Sequence, residues 1–336
     1  MQRALAEVVS ELVVVSDQMK AIMALISKVA RFDVPVLIQG ETGTGKELLA
    51  RIIHQRSDRH DRPFVAVNCG TLTGDLFADK LFGHEPGSFT GASRQVRGCF
   101  ELAAQGTLFL DEVSDILLPN QVDFLRVLED GRFRRLGGEQ LVASDARIVT
   151  ATNADLAARV AEGRFRRDLY YRLRVVPLLV PPLRQRRVAI PGLIDYFSSQ
   201  FAEKHERAQV SFHPKAVELL VNYDWPGNVR QLKNFVERAL IMCPGRQVSA
   251  RDFPADFGGD TYGFGSSRAP AEEEAGPPRS LEEVRTEAER RAIIDALTHT
   301  AGRRDDAAHL LRISARSLRQ KMRDLGIRFS RGQQVS

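Results

Sequence analysis

The chain has 336 residues, 43% of them hydrophobic and 27% charged, with a net charge of +5; such a composition supports a buried core, excludes general disorder, and at roughly 100–200 residues per domain predicts two or three domains. The three cysteines, Cys69, Cys99 and Cys243, are widely spaced without a Cys-x-x-Cys or Cys/His cluster, so neither a structural zinc site nor a disulfide framework is indicated. No apolar run reaches the ~18–20 residues that cross a bilayer and no signal-peptide pattern opens the chain, so a cytoplasmic protein without a membrane partner is expected.

Met19, Ile22, Met23, Leu25, Ile26 and Val29 predict an amphipathic helix over 16–31. Val34, Val36, Leu37 and Ile38 then form a short apolar run that ends in glycine-rich sequence, and a helical pattern follows from Lys46 to about Gln55. This reads as strand, loop, helix. Similar runs at 64–67, 108–110, 148–151 and 175–180 alternate with helical stretches, so the expected fold class is α/β, with a mostly parallel sheet covered on both faces. After Pro181-Pro182 the strands are expected to stop, and the helical periodicity from 188 to about 243 predicts an all-helical lid. Residues 257–279 turn to Gly, Ser, Pro and acidic residues and predict a flexible linker. Three helices are expected beyond it, over 281 to about 297, 305–311 and 315 to about 325. The resulting division is an α/β core over 1–182, a lid over 183–256, a linker over 257–279 and a last domain over 280–336.

Gly40-Glu41-Thr42-Gly43-Thr44-Gly45-Lys46 lies between the first predicted strand and its helix, the context a P-loop requires. Its backbone N–H groups and the helix N-terminus suit the phosphates of ATP, and Lys46 suits the β- and γ-phosphates. Glu47 stands where the general motif has the Ser or Thr that ligates magnesium. Downstream, an apolar run ends in Asp111-Glu112. Asp111 is placed to hold Mg²⁺ and Glu112 to orient and deprotonate the attacking water, which predicts hydrolysis and not binding alone.

Gly87-Ser88-Phe89-Thr90-Gly91-Ala92, after Phe82-Gly83-His84-Glu85-Pro86, predicts a flexible excursion carrying one exposed aromatic. Taken with the P-loop and the Asp-Glu strand, this segment resembles the GAFTGA loop of the AAA+ activators of sigma-54 RNA polymerase, the bacterial enhancer-binding proteins, with Ser88 in place of the first alanine. The resemblance spans about residues 12–328 and implies an AAA+ core whose loop touches the sigma factor and moves with nucleotide state. It implies that Asn68 switches Glu112 between orientations, that Thr152-Asn153 forms sensor I, and that Arg166 and Arg172 reach the ATP of a neighbouring subunit, which requires a ring, hexameric by the same resemblance. Trp225-Pro226-Gly227-Asn228-Val229-Arg230 matches the sensor II segment, with Arg230 turned to the phosphates. A cation in the first turn of a helix is disfavoured by the helix dipole unless an anion is near, which agrees with that role. Pro182-Leu183-Arg184-Gln185-Arg186-Arg187 resembles the hinge between core and lid, with Val188-Ala189 where acidic residues are expected.

Between Arg303 and Arg331 nine basic residues face three acidic ones, a local excess of six against +5 for the whole chain. Ala307-Ala308, a tight turn, and Ser314 as N-cap of a second helix make a helix-turn-helix pattern similar to Fis-type domains. Leu318, Met322 and Leu325 are expected to face inward, leaving Arg316, Ser317, Arg319, Gln320 and Arg323 for double-stranded DNA. The leading expectation is a sigma-54-dependent activator that hydrolyses ATP to remodel RNA polymerase holoenzyme and open specific promoters. Its alternative is a nucleotide-binding, DNA-bound regulator not acting through sigma-54. No receiver or sensory pattern precedes residue 12, so control is expected from a separate regulatory protein or from a domain outside this chain.

Overall fold

Ser16 begins the first helix, α1 (Asp17–Val29), by accepting a hydrogen bond from the Met19 amide at 3.3 Å. Met19, Ile22, Met23 and Ile26 are buried at i, i+3, i+4 and i+7 spacing, whereas Leu25, expected on the same face, is 37% exposed. At 100° per residue Leu25 falls well off that stripe. The computed structural model describes residues 16–71, 74–206, 209–243, 245, 247–253 and 257, and, nearer the C-terminus, 289–290, 293, 296–297, 300, 303–311 and 313–325. Residues 1–266 and 267–336 form two compact units.

In the first unit the chain runs through β1 (Val36–Gln39), α2 (Lys46–Gln55), β2 (Phe64–Asn68), α3 (Asp75–Phe82), β3 (Gly83–His84), β4 (Val96–Arg97), α4 (Cys99–Leu102) and β5 (Thr107–Asp111). It continues through α5 (Leu118–Asp130), β6 (Arg132–Arg134), β7 (Leu141–Ala143), β8 (Arg147–Thr152), α6 (Leu156–Ala161), α7 (Arg167–Leu173) and β9 (Val176–Leu179). Five strands form one parallel sheet in the order β2-β5-β8-β1-β9. The strands alternate between two cores: Val36, Ile38, Phe109, Val149 and Ala151 pack with α1 and α2, while Leu37, Val67, Leu108, Leu110 and Ile148 pack with α3 to α7. Burial on both faces is the reason these runs are continuously apolar. Register then sets the site: Asn68 pairs with Asp111, and Gln39 with Thr152, at the carboxyl edge of the sheet, where open α/β sheets bind ligands.

The lid follows as α8 (Ile190–Lys204), β10 (Ser211–Phe212), α9 (Pro214–Asn222), α10 (Asn228–Met242) and β11 (Gln247–Val248). Strands therefore do not end at Pro182, since β10 and β11 pair in parallel. Two residues each carry no detectable period, and they pair because Phe212 and Val248 are drawn into the lid core beside Trp225, Leu232 and Phe235. Trp225 is 1% exposed and donates its indole N–H to the Leu220 carbonyl at 2.7 Å. Among the described residues no helix is long and apolar enough to cross a membrane.

In the second unit, α11 (Arg304–Leu310) and α12 (Ala315–Asp324) pack through Ala307, Ala308, Leu318 and Met322, with Ile293 and Leu297 completing the core. Ser314 caps α12 by accepting from the Ser317 amide at 3.1 Å. Nearly all of the linker predicted over 257–279, and most of the helix expected from 281, lie outside the described residues.

Candidate functional site

The P-loop turns from β1 into α2 on a left-handed residue, Gly45 (φ +99°), a conformation that side chains with a Cβ rarely adopt. Lys46 opens the helix, is 6% exposed, and donates from Nζ to the Gly40 carbonyl at 2.9 Å and to Glu112 Oε1 at 3.4 Å. Thr44 Oγ1 donates to the Glu41 carbonyl at 2.7 Å, and Asn153 Nδ2 to Thr42 Oγ1 at 3.1 Å. The loop, the end of β8 and the end of β5 thus meet around one lysine. Glu47 pairs with Arg51 one turn on, at 2.7 Å.

Asp111 ends β5 half-buried; burial, and then the neighbouring Glu112 carboxylate, push its carboxyl above the usual range while Lys46 pulls it down. Glu112 takes a left-handed backbone (φ +53°), a strained state for a non-glycine residue that costs about 1 kcal/mol or more. The turn leaves its carboxylate between Lys46 Nζ and the Asn153 amide, which donates to Oε2 at 3.0 Å. Asn68 lies beside Asp111 by register, yet its Oδ1 accepts from the Gly70 amide at 3.0 Å and it has no bond to Glu112. Burial, and then the nearby carboxylates, push the Cys69 thiol well above its usual range.

A cleft of about 750 Å³ beside the loop is lined by Gln18, Ile22, Gly40, Glu41, Asn153 and Arg184, among others. Nucleotide suits this geometry: a glycine-built turn on a helix N-terminus, a buried lysine, and an adjoining cleft with apolar and polar walls. Among the described residues no three acidic, His or Cys side chains cluster to hold a metal on their own. A magnesium ion here would rest on Asp111 with phosphate oxygens and water, as Mg²⁺ at phosphate sites commonly does.

The lid contributes residues that periodicity does not reveal. Arg184 grips the Glu41 carboxylate with both terminal nitrogens, at 2.8 and 2.5 Å, and holds its pKa below the usual range. Arg186 is 2% exposed, donates from Nη2 to the Thr44 carbonyl at 2.9 Å, and has its pKa lowered to about 10 by burial. Arg187 bonds Asp224 and the carbonyls of Val221 and Asn222, so the hinge has ion pairs even with Val188-Ala189 in place of acids. The Arg230 amide donates to the Gly43 carbonyl at 3.3 Å. Asn228 also reaches the loop; it lies in the segment matched to sensor II, but nothing beyond an Asn after Gly, a residue type that tolerates positive φ, sets it apart from its neighbours there.

Arg166 is bound to Asp168 through two bonds, at 3.0 and 2.6 Å, and Arg172 donates to the Leu128 carbonyl at 3.2 and 2.8 Å. Neither bonds Lys46, Asp111 or Glu112 of its own chain among the described residues. Both are at least partly exposed.

Residues 87–92 tip the hairpin whose stem is β3 and β4. The Gly87 amide donates to the Ala92 carbonyl at 2.8 Å and the Ala92 amide to the Phe89 carbonyl at 3.0 Å. Phe89 is 48% exposed, with its ring edge-on to His84 at 4.9 Å between centroids. His84 is in turn held by Asp79 at 2.6 Å. Thr90 and Gly91 are exposed. The β6–β7 hairpin docks here: the Glu85 amide donates to the Leu136 carbonyl, the Leu136 amide to the Gly83 carbonyl, and Arg135 joins Glu85 to Glu101. Ser88 faces Gly137, where an added Cβ would come within 2.6 Å of the serine Cβ. Its Oγ is buried without a hydrogen-bond partner. Ser88→Ala is therefore expected to stabilise the fold by about 1 kcal/mol, the lower end of the cost of an unsatisfied buried hydroxyl; a urea midpoint that falls would contradict this.

In the second unit Arg316, Ser317, Arg319, Gln320 and Arg323 are all exposed on α12. Arg304, from α11, joins Arg316, Arg319, Met322 and Arg323 around a cleft of about 580 Å³. Four arginines on one concave face form a basic surface of the kind that phosphate backbones bind.

Comparison with known proteins matches residues 12–179 to the "Sigma-54 interaction domain", 184–264 to an AAA+ ATPase lid domain and 284–325 to the Fis family of bacterial regulatory proteins. The transcriptional regulatory protein ZraR of Escherichia coli strain K12 is 43% identical over 307 residues, 91% of this chain and 67% of that protein. The response regulator protein PilR of Pseudomonas aeruginosa is 43% identical over 313 residues, 93% of this chain and 69% of that protein. A solved structure of NtrX from Brucella abortus in complex with ATP superposes with a TM-score of 0.71 at 36% identity, covering 93% of this chain and 68% of that one.

Proposed function

The chain belongs to the family of the sigma-54 interaction domain, the AAA+ activators of sigma-54-dependent transcription, and from that premise we propose that it hydrolyses ATP between subunits of a hexameric ring and uses the cycle to move residues 87–92 against the sigma factor. The observation that carries this reading is the Lys46–Glu112 contact, which joins the phosphate loop to the residue proposed as base. Lys46 and the loop amides from Gly40 to Gly45 hold the phosphates. Asp111 would hold a magnesium ion, which would supply charge neutralisation on the phosphate oxygens. Glu112 must leave Lys46 to accept a proton from the attacking water, and Asn68 and Asn153 flank its two orientations. Asn153 already bonds both the carboxylate and Thr42, so it is suited to report the state of the loop to the base.

Arg166 and Arg172 act across the subunit boundary, neutralising charge on the transferred phosphoryl group. To do so they leave Asp168 and Leu128, bonds at the surface that are cheaply exchanged. Arg230 responds from the lid side, Glu41 ties the loop to the lid through Arg184, and Glu47 remains an ion-paired helix residue. The displaced hairpin presents Phe89 and Thr90 to sigma-54, with Gly87, Gly91 and Ala92 allowing the motion and Ser88 as its seat on Gly137. The core, lid and DNA-binding unit are assigned to 1–182, 183–256 and 280–336.

On DNA, Arg316, Ser317, Arg319, Gln320 and Arg323 contact an upstream site and keep the ring near the promoter. Removing Arg319 and Arg323 together is expected to weaken binding across sequences and to flatten the slope of log K against log salt by about 0.9 for each phosphate no longer neutralised. Fluorescence anisotropy over a salt series measures the slope; an unchanged slope would remove these residues from the interface. Steady-state hydrolysis with sigma-54-dependent open-complex formation tests the whole proposal. Hydrolysis without promoter melting by the wild-type protein would favour a regulator that acts by another route.

A further inference from the structure

Four consecutive residues of the phosphate loop are held from the lid side. Glu41 is gripped by Arg184 and accepts from Asn228 Nδ2 at 3.2 Å; the Thr42 carbonyl accepts from Asn228 Nδ2 at 3.0 Å. The Gly43 carbonyl accepts from the Arg230 amide at 3.3 Å, and the Thr44 carbonyl from Arg186 at 2.9 Å. The approach is close: a Cβ on Gly43 would lie 2.3 Å from the Gly227 carbonyl oxygen. Asn228 stands at the centre. It is fully buried, has φ +52°, and accepts from the Leu183 amide at the hinge through Oδ1 at 2.7 Å. One carboxamide therefore ties the hinge, the lid helix α10 and the loop together.

We propose that Asn228 is a positioning residue that transmits the position of the lid to the phosphate loop, with the Glu41 carboxylate serving as the lid's anchor and not as a contact to nucleotide. In a planar trans peptide the carbonyl and the following N–H point in opposite directions. Holding the Thr42 and Thr44 carbonyls toward the lid turns the Gly43 and Gly45 N–H groups to the other side of the loop, where donors to phosphate are needed. Rotation of the lid away from the core would release these carbonyls and scatter the donors. Asn is suited to the position twice over: it tolerates the left-handed backbone, and its carboxamide donates and accepts at once, which neither Asp nor Leu can do.

The inference rests on the ATPase reading, and steady-state kinetics of the full chain separate the two. Asn228→Gly keeps the backbone freedom and removes the carboxamide; Asn228→Asp keeps the acceptor, loses the donors and sets a second carboxylate against Glu41. Glycine is expected to raise KM for ATP, and Kd for a fluorescent ADP analogue, about tenfold with kcat within about threefold, the pattern that follows when binding common to ground and transition states is removed. Aspartate is expected to raise both further, and Glu41→Gln in the aspartate background to recover part of the affinity by restoring a donor between the two side chains. A merely structural role would lower the active fraction, so that kcat falls while KM holds; that result, or an unchanged KM in both variants, overturns the proposal. Wild-type protein that neither binds the analogue nor hydrolyses ATP would sink the ATPase reading and this inference with it.

Discussion

Glu112→Gln is expected to lower ATP turnover by about 10²- to 10⁴-fold, the span associated with removing a positioned general base, while nucleotide still binds. The carboxamide oxygen can still accept from the Asn153 amide, the bond that Oε2 accepts at 3.0 Å, so the turn after β5 keeps its shape. The left-handed backbone at residue 112 is equally open to Gln. What disappears is the capacity to take a proton. Lys46→Ala should fail differently, because it removes the cation that the loop wraps and so reduces nucleotide affinity before turnover. Titration with a fluorescent ADP analogue beside single-turnover hydrolysis separates the cases. Glu112→Gln with turnover within a factor of ten of wild type would take Glu112 out of the chemistry.

Phe89→Ala and Thr90→Ala are expected to leave hydrolysis within about threefold of wild type and to abolish sigma-54-dependent open complexes. The Phe89 ring is 48% exposed and touches His84 by its edge, so truncation removes little from the core. An exposed aromatic at the tip of a hairpin is suited to an energetic anchor, and removing such an anchor costs about 2–4 kcal/mol, or roughly 30- to 1,000-fold in affinity. Hydrolysis is retained because the loop has no bond to Lys46, Asp111 or Glu112 among the described residues. Loss of both activities together would mean that the hairpin supports the fold of the ATPase and not contact with a partner.

The nucleotide half of this arrangement was legible in the sequence because it is local. A strand, a glycine turn and a lysine at a helix start occupy residues 36–46 in a row, and an apolar strand ending in two acids occupies 107–112. Strand spans came close to the observed ones because strands buried on both faces are continuously apolar. The helix-turn-helix was legible for the same reason, with Ser314 capping and Leu318 and Met322 buried as their spacing predicts. The paired strands of the lid were not, since two residues each cannot show a period. Nor was the grip of the lid on the loop: Arg184, Arg186 and Asn228 act on residues some 140 to 190 positions away, and only the folded chain brings them together. Asn68 and Glu112 illustrate a different limit. Register sets Asn68 beside Asp111, but the direction of its carboxamide, toward Gly70, is decided by a local turn.

Displacement of residues 87–92 by the nucleotide cycle is most directly tested by hydrogen exchange at the Gly87 and Ala92 amides, which bond the Ala92 and Phe89 carbonyls within the hairpin tip. Exchange is compared in the ADP-bound wild type and in Glu112→Gln loaded with ATP. Protection that differs between the two states, at these amides and not across the sheet, is the predicted result. Equal protection in both states, with nucleotide shown to be bound, would contradict a hairpin moved by ATP.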